Sequence, residues 1–135
     1  MKALPVILIA GMTLAQGAQA ICRQADAQGT WDTYQSAFIN KNGDPHVGQC
    51  LLKADKTGAV DIAGSSCKFI FTGFTTANFQ TGGIITVNKD CSATIKLDLG
   101  NFAGQVQLTK TKDSFSGRFT AQDAAVLGTT NGVKR

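Results

Sequence analysis

The sequence contains no glutamate, a single histidine and only two prolines among its 135 residues. All nine acidic residues are aspartates, and aspartate favours turns whereas glutamate favours helices, so the composition argues against a helical protein. His46 follows Pro45 in a polar stretch, and we interpret it as an exposed turn residue because no catalytic motif accompanies it. We therefore expect a non-enzymatic protein that needs no cofactor.

Long apolar runs are also missing after the amino terminus. Lys2 precedes an apolar stretch from Ala3 to Ala15, and residues 18–20 read Ala-Gln-Ala, the small-x-small pattern that signal peptidases accept. We predict that residues 1–20 are a signal peptide and that residues 21–135 form one mature domain. No segment reaches the roughly 18 to 20 apolar residues of a membrane-spanning helix, so we expect an exported protein, periplasmic or extracellular, without membrane insertion.

Four cysteines, Cys22, Cys50, Cys67 and Cys91, remain after the predicted cleavage. An even number of cysteines in an exported chain indicates two disulfides. The cysteines include no Cys-x-x-Cys pair and their spacing is unlike that of zinc knuckles, so we predict no metal site. Of the three connectivities, we favour Cys50 with Cys67 and Cys22 with Cys91, because residues 50–67 look like a hairpin whose ends meet.

Positive charge is modest and dispersed. The predicted mature chain carries twelve lysines and arginines against nine aspartates, and the basic residues neither cluster nor alternate with stacking aromatics. This distribution supports only weak attraction to acidic surfaces and is not typical of nucleic-acid-binding proteins. We expect a monomer whose partner is a protein or a small hydrophobic ligand.

Short segments rich in Val, Ile, Thr and Phe recur about every ten residues between turn-forming residues, as in antiparallel barrels and sandwiches. Ile95, Leu97 and Leu99 alternate with Lys96 and Asp98, which indicates a strand with one buried and one wet face. Residues 72–83, rich in glycine and threonine, are interpreted as an irregular loop. We predict an all-β fold, an antiparallel eight-stranded up-and-down barrel, with a β-sandwich as the alternative.

Gly29-Thr30-Trp31 opens the first predicted strand. Here the chain resembles the calycin superfamily, including lipocalins and small bacterial metalloprotease inhibitors, in which Gly-x-Trp begins an up-and-down barrel. The resemblance implies that an arginine near the last strand, Arg135 or Arg118, stacks across Trp31. From the Trp31 strand through the cysteine strands to Arg135, the chain also resembles small exported bacterial β-barrel proteins of unassigned function.

Four phenylalanines lie in or beside the predicted loop: Phe69, Phe71, Phe74 and Phe79. An apolar lip at a barrel mouth can anchor a partner or close over a ligand. Phe74 and Phe79 are our candidate partner-binding residues. We expect an exported binding protein that acts through its loops, and we expect that it inhibits a hydrolase.

Two other hypotheses remain open at this point. The first is a carrier of a small hydrophobic ligand, as the lipocalin resemblance implies, which fails if Phe102, Phe115 and Phe119, with Phe38, fill the lumen. The second follows from residues 116–119, Ser-Gly-Arg-Phe, which resemble the Ser-Gly loop of bacterial lysozyme inhibitors.

Overall fold

A computed structural model describes residues 20–39, 45–73 and 76–135 of the chain. These residues form strands and two short 3₁₀ turns, Gln24–Ala27 and Leu99–Asn101, and neither turn is long and apolar enough to cross a membrane. The strands are β1 Gly29–Ile39, β2 His46–Ala54, β3 Ala59–Val60, β4 Ser66–Phe71, β5 Thr76–Gln80, β6 Gly83–Val87, β7 Ser92–Leu97, β8 Phe102–Leu108, β9 Ser114–Ala121 and β10 Val126–Lys134.

Pairing between β1 and β2 closes the sheet into an eight-stranded antiparallel barrel. The order around the barrel is β1, β10, β9, β8, β7, β6, β3 and β2, after which β2 pairs again with β1. Neighbours in this order are mostly neighbours in sequence, as hairpin-rich antiparallel folds require. The predicted all-β barrel is confirmed, and the sandwich alternative is wrong.

The β4–β5 hairpin extends one side of the barrel wall. β4 pairs with β2 over His46–Leu51, whereas β3 pairs with β2 only at Ala54. β5 pairs with β4, so the prediction of an irregular loop is wrong for Thr76–Gln80. Gly83 then begins β6 with φ +149°, and a Cβ there would overlap the Lys96 carbonyl oxygen, so only glycine fits the bend.

Aromatic rings fill the barrel interior by lying over glycines on neighbouring strands. In each pair a Cβ on the glycine would overlap the ring, because the ring occupies the volume that the missing side chain leaves. The register pairs Phe115 with Gly132, Phe119 with Gly128 and Phe69 with Gly48. Phe102 is buried as well, whereas Phe38 points outward and is 59% exposed, so three of the four candidate lumen residues fill the interior.

Trp31 closes one end of the barrel beneath the first 3₁₀ turn. Its indole Nε1–H donates to the Ala27 carbonyl at 2.8 Å, and the ring is buried. The cation over the ring is the Lys134 ammonium, 4.7 Å from the centroid, which also donates to the Asp26 carbonyl at 2.9 Å. A hydrogen bond and a cation–π contact therefore hold the last strand against this end.

The expected arginine stacking on Trp31 is wrong. The Arg135 guanidinium instead forms a bidentate pair with Asp32, with Nε donating to Oδ2 at 2.6 Å and Nη2 to Oδ1 at 3.1 Å. Arg118 donates to the Gln105 amide oxygen at 3.1 Å. Successive residues of a strand point to opposite faces, so Lys134 reaches the Trp31 side and Arg135 reaches the other.

The disulfides are Cys22–Cys91 and Cys50–Cys67, which confirms the favoured connectivity. Cys50 and Cys67 are directly opposed on β2 and β4, so this bond ties the β4–β5 hairpin to the barrel wall. Cys22–Cys91 ties the segment before Trp31 to the β6–β7 turn. All four sulfurs belong to buried residues of the core.

Aspartates cap three of the hairpin turns in the same way. Each carboxylate accepts a short hydrogen bond from a hydroxyl of its own turn, and this bond lowers the pKa of the carboxyl below its ordinary value by stabilising the ionised form. The bonds join Thr57 to Asp55 at 2.7 Å, Ser92 to Asp90 at 2.6 Å and Thr111 to Asp113 at 2.6 Å.

We expect the barrel to lose stability as the pH falls below about 4. The unfolded carboxyls take up protons at a higher pH than the folded ones, so acidification favours the unfolded state. Melting temperature measured against pH tests this expectation in the wild type and in the triple variant Asp55→Asn, Asp90→Asn and Asp113→Asn. The melting temperature of the variant should fall less steeply than that of the wild type as the pH is lowered. An equal fall in both proteins would contradict the role of these three carboxylates in acid sensitivity.

Candidate functional site at the barrel mouth

An apolar cavity of about 130 Å³ lies at the end of the barrel opposite Trp31. We call it the mouth pocket. It forms where β2 begins, β4 and β7 end, and the β9–β10 turn crosses. Its lining residues are Gln35, His46, Phe69, Phe71, Phe79, Leu99, Gly100, Phe102, Phe119, Ala121 and Gln122.

Aromatic contacts build the walls of the mouth pocket. The buried Phe69 ring lies 5.0 Å from His46, 6.1 Å from Phe71 and 5.9 Å from Phe79 between centroids. On the opposite wall Phe102 and Phe119 stack at 4.7 Å. Offset and edge-to-face pairs of this kind hold the rings in defined positions. The pocket is therefore preformed by packed side chains.

Phe79 is the candidate residue that the structure brings to this pocket. It lies directly opposite Cys67 on β4, so its side chain points to the inner face of the wall. It is nevertheless 41% exposed, because β5 is the terminal strand of the sheet order and nothing in the described chain pairs with its second edge. The other candidate, Phe74, lies outside the described residues.

A second apolar surface flanks the mouth on the outer wall. Val47 and Ile70 are cross-strand partners with 52% and 39% exposure, and with Phe38 they line a shallow groove that Phe71 also borders. These exposed apolar side chains lie on neighbouring strands and form one patch. The barrel wall at the mouth is therefore apolar on its inner face, in the mouth pocket, and on its outer face, in this groove.

His46 is half-buried between Phe69 and Phe71, so its interpretation as an exposed turn residue is wrong. It starts β2, and the neighbouring strand places the two rings against it. Besides His46, the polar groups that line the mouth pocket are the Gln35 and Gln122 amides. In the described ranges, no three potential metal ligands lie close enough together to hold an ion.

Residues 116–119 lie inside β9, so the comparison with a Ser-Gly inhibitor loop is wrong. Gly117 is required there because a Cβ would overlap the Gln105 carbonyl oxygen of the neighbouring strand. A close approach of two backbones explains this glycine without a role in binding.

Leu99 and Phe102 form a second wall of the pocket that local sequence patterns do not predict. The alternation predicts that Leu99 continues the strand, but Gly100 at φ +61° and Asn101 at φ +50° turn the chain there and carry Phe102 into the pocket. Gly-Asn is itself a turn signal, since both residues tolerate the left-handed conformation, and it could have marked this end of the strand.

No protein-family model matches this chain, and a search among curated proteins finds no match.

Proposed function

We propose that this is an exported, non-enzymatic binding protein that holds a protein partner at the barrel mouth. The observation that carries the proposal is Phe79, an inward-facing aromatic ring left 41% exposed at the edge of an apolar cavity. Aromatic anchors beside preformed pockets supply most of the affinity in many protein interfaces. Two buried disulfides support export, because such bonds persist in oxidising compartments.

The Cys50–Cys67 disulfide supports this proposal by making the site rigid. Cys67 lies opposite Cys50 on one side and opposite Phe79 on the other, so the bond holds the strand that positions the anchor. A preformed site loses less conformational entropy on binding than a flexible loop does.

The calycin-like features favour an exported hydrolase as the partner and its inhibition as the result of binding. The Gly-x-Trp strand and the cation that the last strand places over Trp31 support a calycin-like barrel. Inhibitors of that kind insert an amino-terminal arm, but here Cys22 is tied to Cys91 at the closed end. We therefore assign partner contact to the mouth and not to the segment before Cys22.

A carrier of a small hydrophobic ligand is the second candidate. The mouth pocket, at about 130 Å³, is smaller than the roughly 300 Å³ at which ordinary ligand pockets begin. It fits one side chain or one aromatic ring, so the cavity favours a protein side chain over a larger free ligand.

We expect Phe79→Ser to weaken partner capture at least about tenfold, because loss of an interface anchor costs roughly 2 kcal/mol. Stability should change little, by about 1 kcal/mol, since the ring is only partly buried. Native mass spectrometry of protein recovered from the exported fraction measures capture, and thermal melting measures stability.

Phe38→Ser is the matched control, because it removes an exposed phenylalanine from the outer wall. Capture that survives Phe79→Ser would overturn the mouth assignment. Capture lost only in Phe38→Ser would move the contact to the outer groove.

A further inference from the structure

β5 has an unpaired edge beside the mouth pocket. One of its edges pairs with β4, and the strand stands last in the sheet order, with no other strand of the described chain beside it. β6, which continues from β5, pairs with β7, but β7 ends at Leu97. The chain then turns away through Leu99–Asn101, which leaves the place next to β5 without a strand.

Hydrogen bonding near the β4–β5 hairpin shows which residues face this edge. The Thr81 N–H donates to the Ser65 carbonyl at 3.3 Å, so residue 81 bonds toward the β4 side. Hydrogen-bonding direction alternates along an antiparallel strand, so Ala77 and Phe79 also bond toward β4. The N–H and C=O groups of Thr76, Asn78 and Gln80 therefore face outward along the free edge.

The sequence of β5 does nothing to block this edge. Natural edge strands carry charged residues, proline or bulges that prevent pairing with other chains. Residues 76–80 read Thr-Ala-Asn-Phe-Gln, without charge and without proline. No strand of the described residues occupies this edge, and its sequence leaves it open to another extended chain.

Side chains of an added strand would meet two features of the molecule. Those that point inward, like Phe79, enter the mouth pocket, whose walls are aromatic and aliphatic. Asp98 lies beside Gly82, just past the end of the free edge, and its backbone N–H donates to the Gly82 carbonyl at 3.1 Å. The Asp98 side chain is exposed. A lysine or arginine at the corresponding end of the added strand complements this charge.

We propose that β5 binds an extended segment of the partner by strand addition, with an apolar side chain in the mouth pocket and a basic residue beside Asp98. This inference rests on the proposed function and names the partner chemistry for the same site. Main-chain hydrogen bonds supply affinity in this mode of recognition, and pockets for alternate side chains supply specificity.

The test uses a synthetic peptide, acetyl-Lys-Leu-Thr-Leu-Thr-Leu-Thr-amide, and the same peptide with N-methylated backbone amides. Calorimetry measures affinity, and hydrogen exchange measures protection of the outward amides. We expect the unmodified peptide to slow exchange at Asn78 and Gln80 at least about tenfold, because their N–H groups become hydrogen-bonded. N-methylation should weaken binding about tenfold or more, because it removes main-chain donors.

Asn78→Pro removes one outward donor while leaving the β4 ladder intact, since an edge strand tolerates proline where the N–H faces outward. We expect it to bind the peptide at least about tenfold more weakly, whereas Asn78→Ala binds within about twofold of the wild type. Melting curves of both variants check that the barrel folds. Asp98→Asn should weaken binding of the lysine-containing peptide. It should leave unchanged the binding of the same peptide with alanine in place of lysine.

Failure of the wild type to bind the peptide, equal binding of the N-methylated peptide, or unchanged exchange at Asn78 and Gln80 would each overturn strand addition. A dimer in sedimentation that Asn78→Pro dissociates would also overturn it, by assigning the edge to a second copy. If Phe79→Ser loses partner capture while Asn78→Pro keeps it, the proposed function stands and strand addition fails. If neither variant changes capture, both fail.

Discussion

Replacing Cys22 and Cys91 together by alanine is expected to lower the free energy of unfolding by about 4 kcal/mol. The two residues are 69 positions apart, so the bond removes much of the freedom of the unfolded chain. It also holds the segment over the closed end, where the Gln24 amide oxygen accepts from Val87 N–H at 2.9 Å and its Nε2 donates to the Ile85 carbonyl at 2.7 Å. Without the Cys22–Cys91 disulfide, the segment around Gln24 is therefore held less firmly over Trp31.

Urea unfolding followed by Trp31 fluorescence measures this loss. The pair Cys50→Ala and Cys67→Ala is the matched control, because its loop of 17 positions predicts a smaller effect of about 3 kcal/mol. A larger loss from the shorter loop would show that packing around Cys50–Cys67, and not loop closure, governs the effect.

Gly128→Ala is expected to cost at least about 3 kcal/mol. A Cβ at this position would overlap both the Ser36 carbonyl oxygen and the Phe119 ring, so relief requires the β1 backbone to move. Gly132→Ala is different, because the three atoms nearest to its Cβ would all belong to the Phe115 ring and none to the backbone. Chemical unfolding of the two variants measures the costs.

Phe115→Leu separates the two cases. We expect this smaller side chain to restore part of the stability lost in Gly132→Ala, while Phe119→Leu restores little in Gly128→Ala because the backbone overlap persists. Equal rescue at both positions would contradict the packing described here. The comparison also shows how far the lumen is filled, which bears on the carrier hypothesis.

Much of the architecture follows from local sequence. Alternation of apolar and polar residues in strands such as β7 and β8, with Asp-rich turns between them, predicts hairpins because a strand presents its side chains to two faces in turn. The even cysteine count predicts two disulfides. The hairpin between residues 50 and 67 favours the correct connectivity, since its two ends lie opposite each other on β2 and β4.

The mouth of the barrel was predicted less well. The sequence predicts Phe79 as a partner-binding residue, but the glycines and threonines of residues 72–83 predict a loop where β5 forms. Leu99 and Phe102, on the far wall, were not connected with the site. Contacts between residues far apart in sequence form this pocket, and local patterns carry no information on which segments meet.

The sequence by itself thus determined an all-β chain with two disulfides and no recognisable catalytic motif. Only the tertiary structure decided that Lys134 and not Arg135 covers Trp31, because the register of β10 against β1 sets which side chain reaches the inner face. It alone decided that Phe115 and Phe119 fill the lumen, since their glycine partners lie on another strand. In the part of the chain that the structure describes, the free edge of β5 likewise exists because β7 ends at Leu97, which leaves the backbone donors and acceptors of β5 without a neighbouring strand.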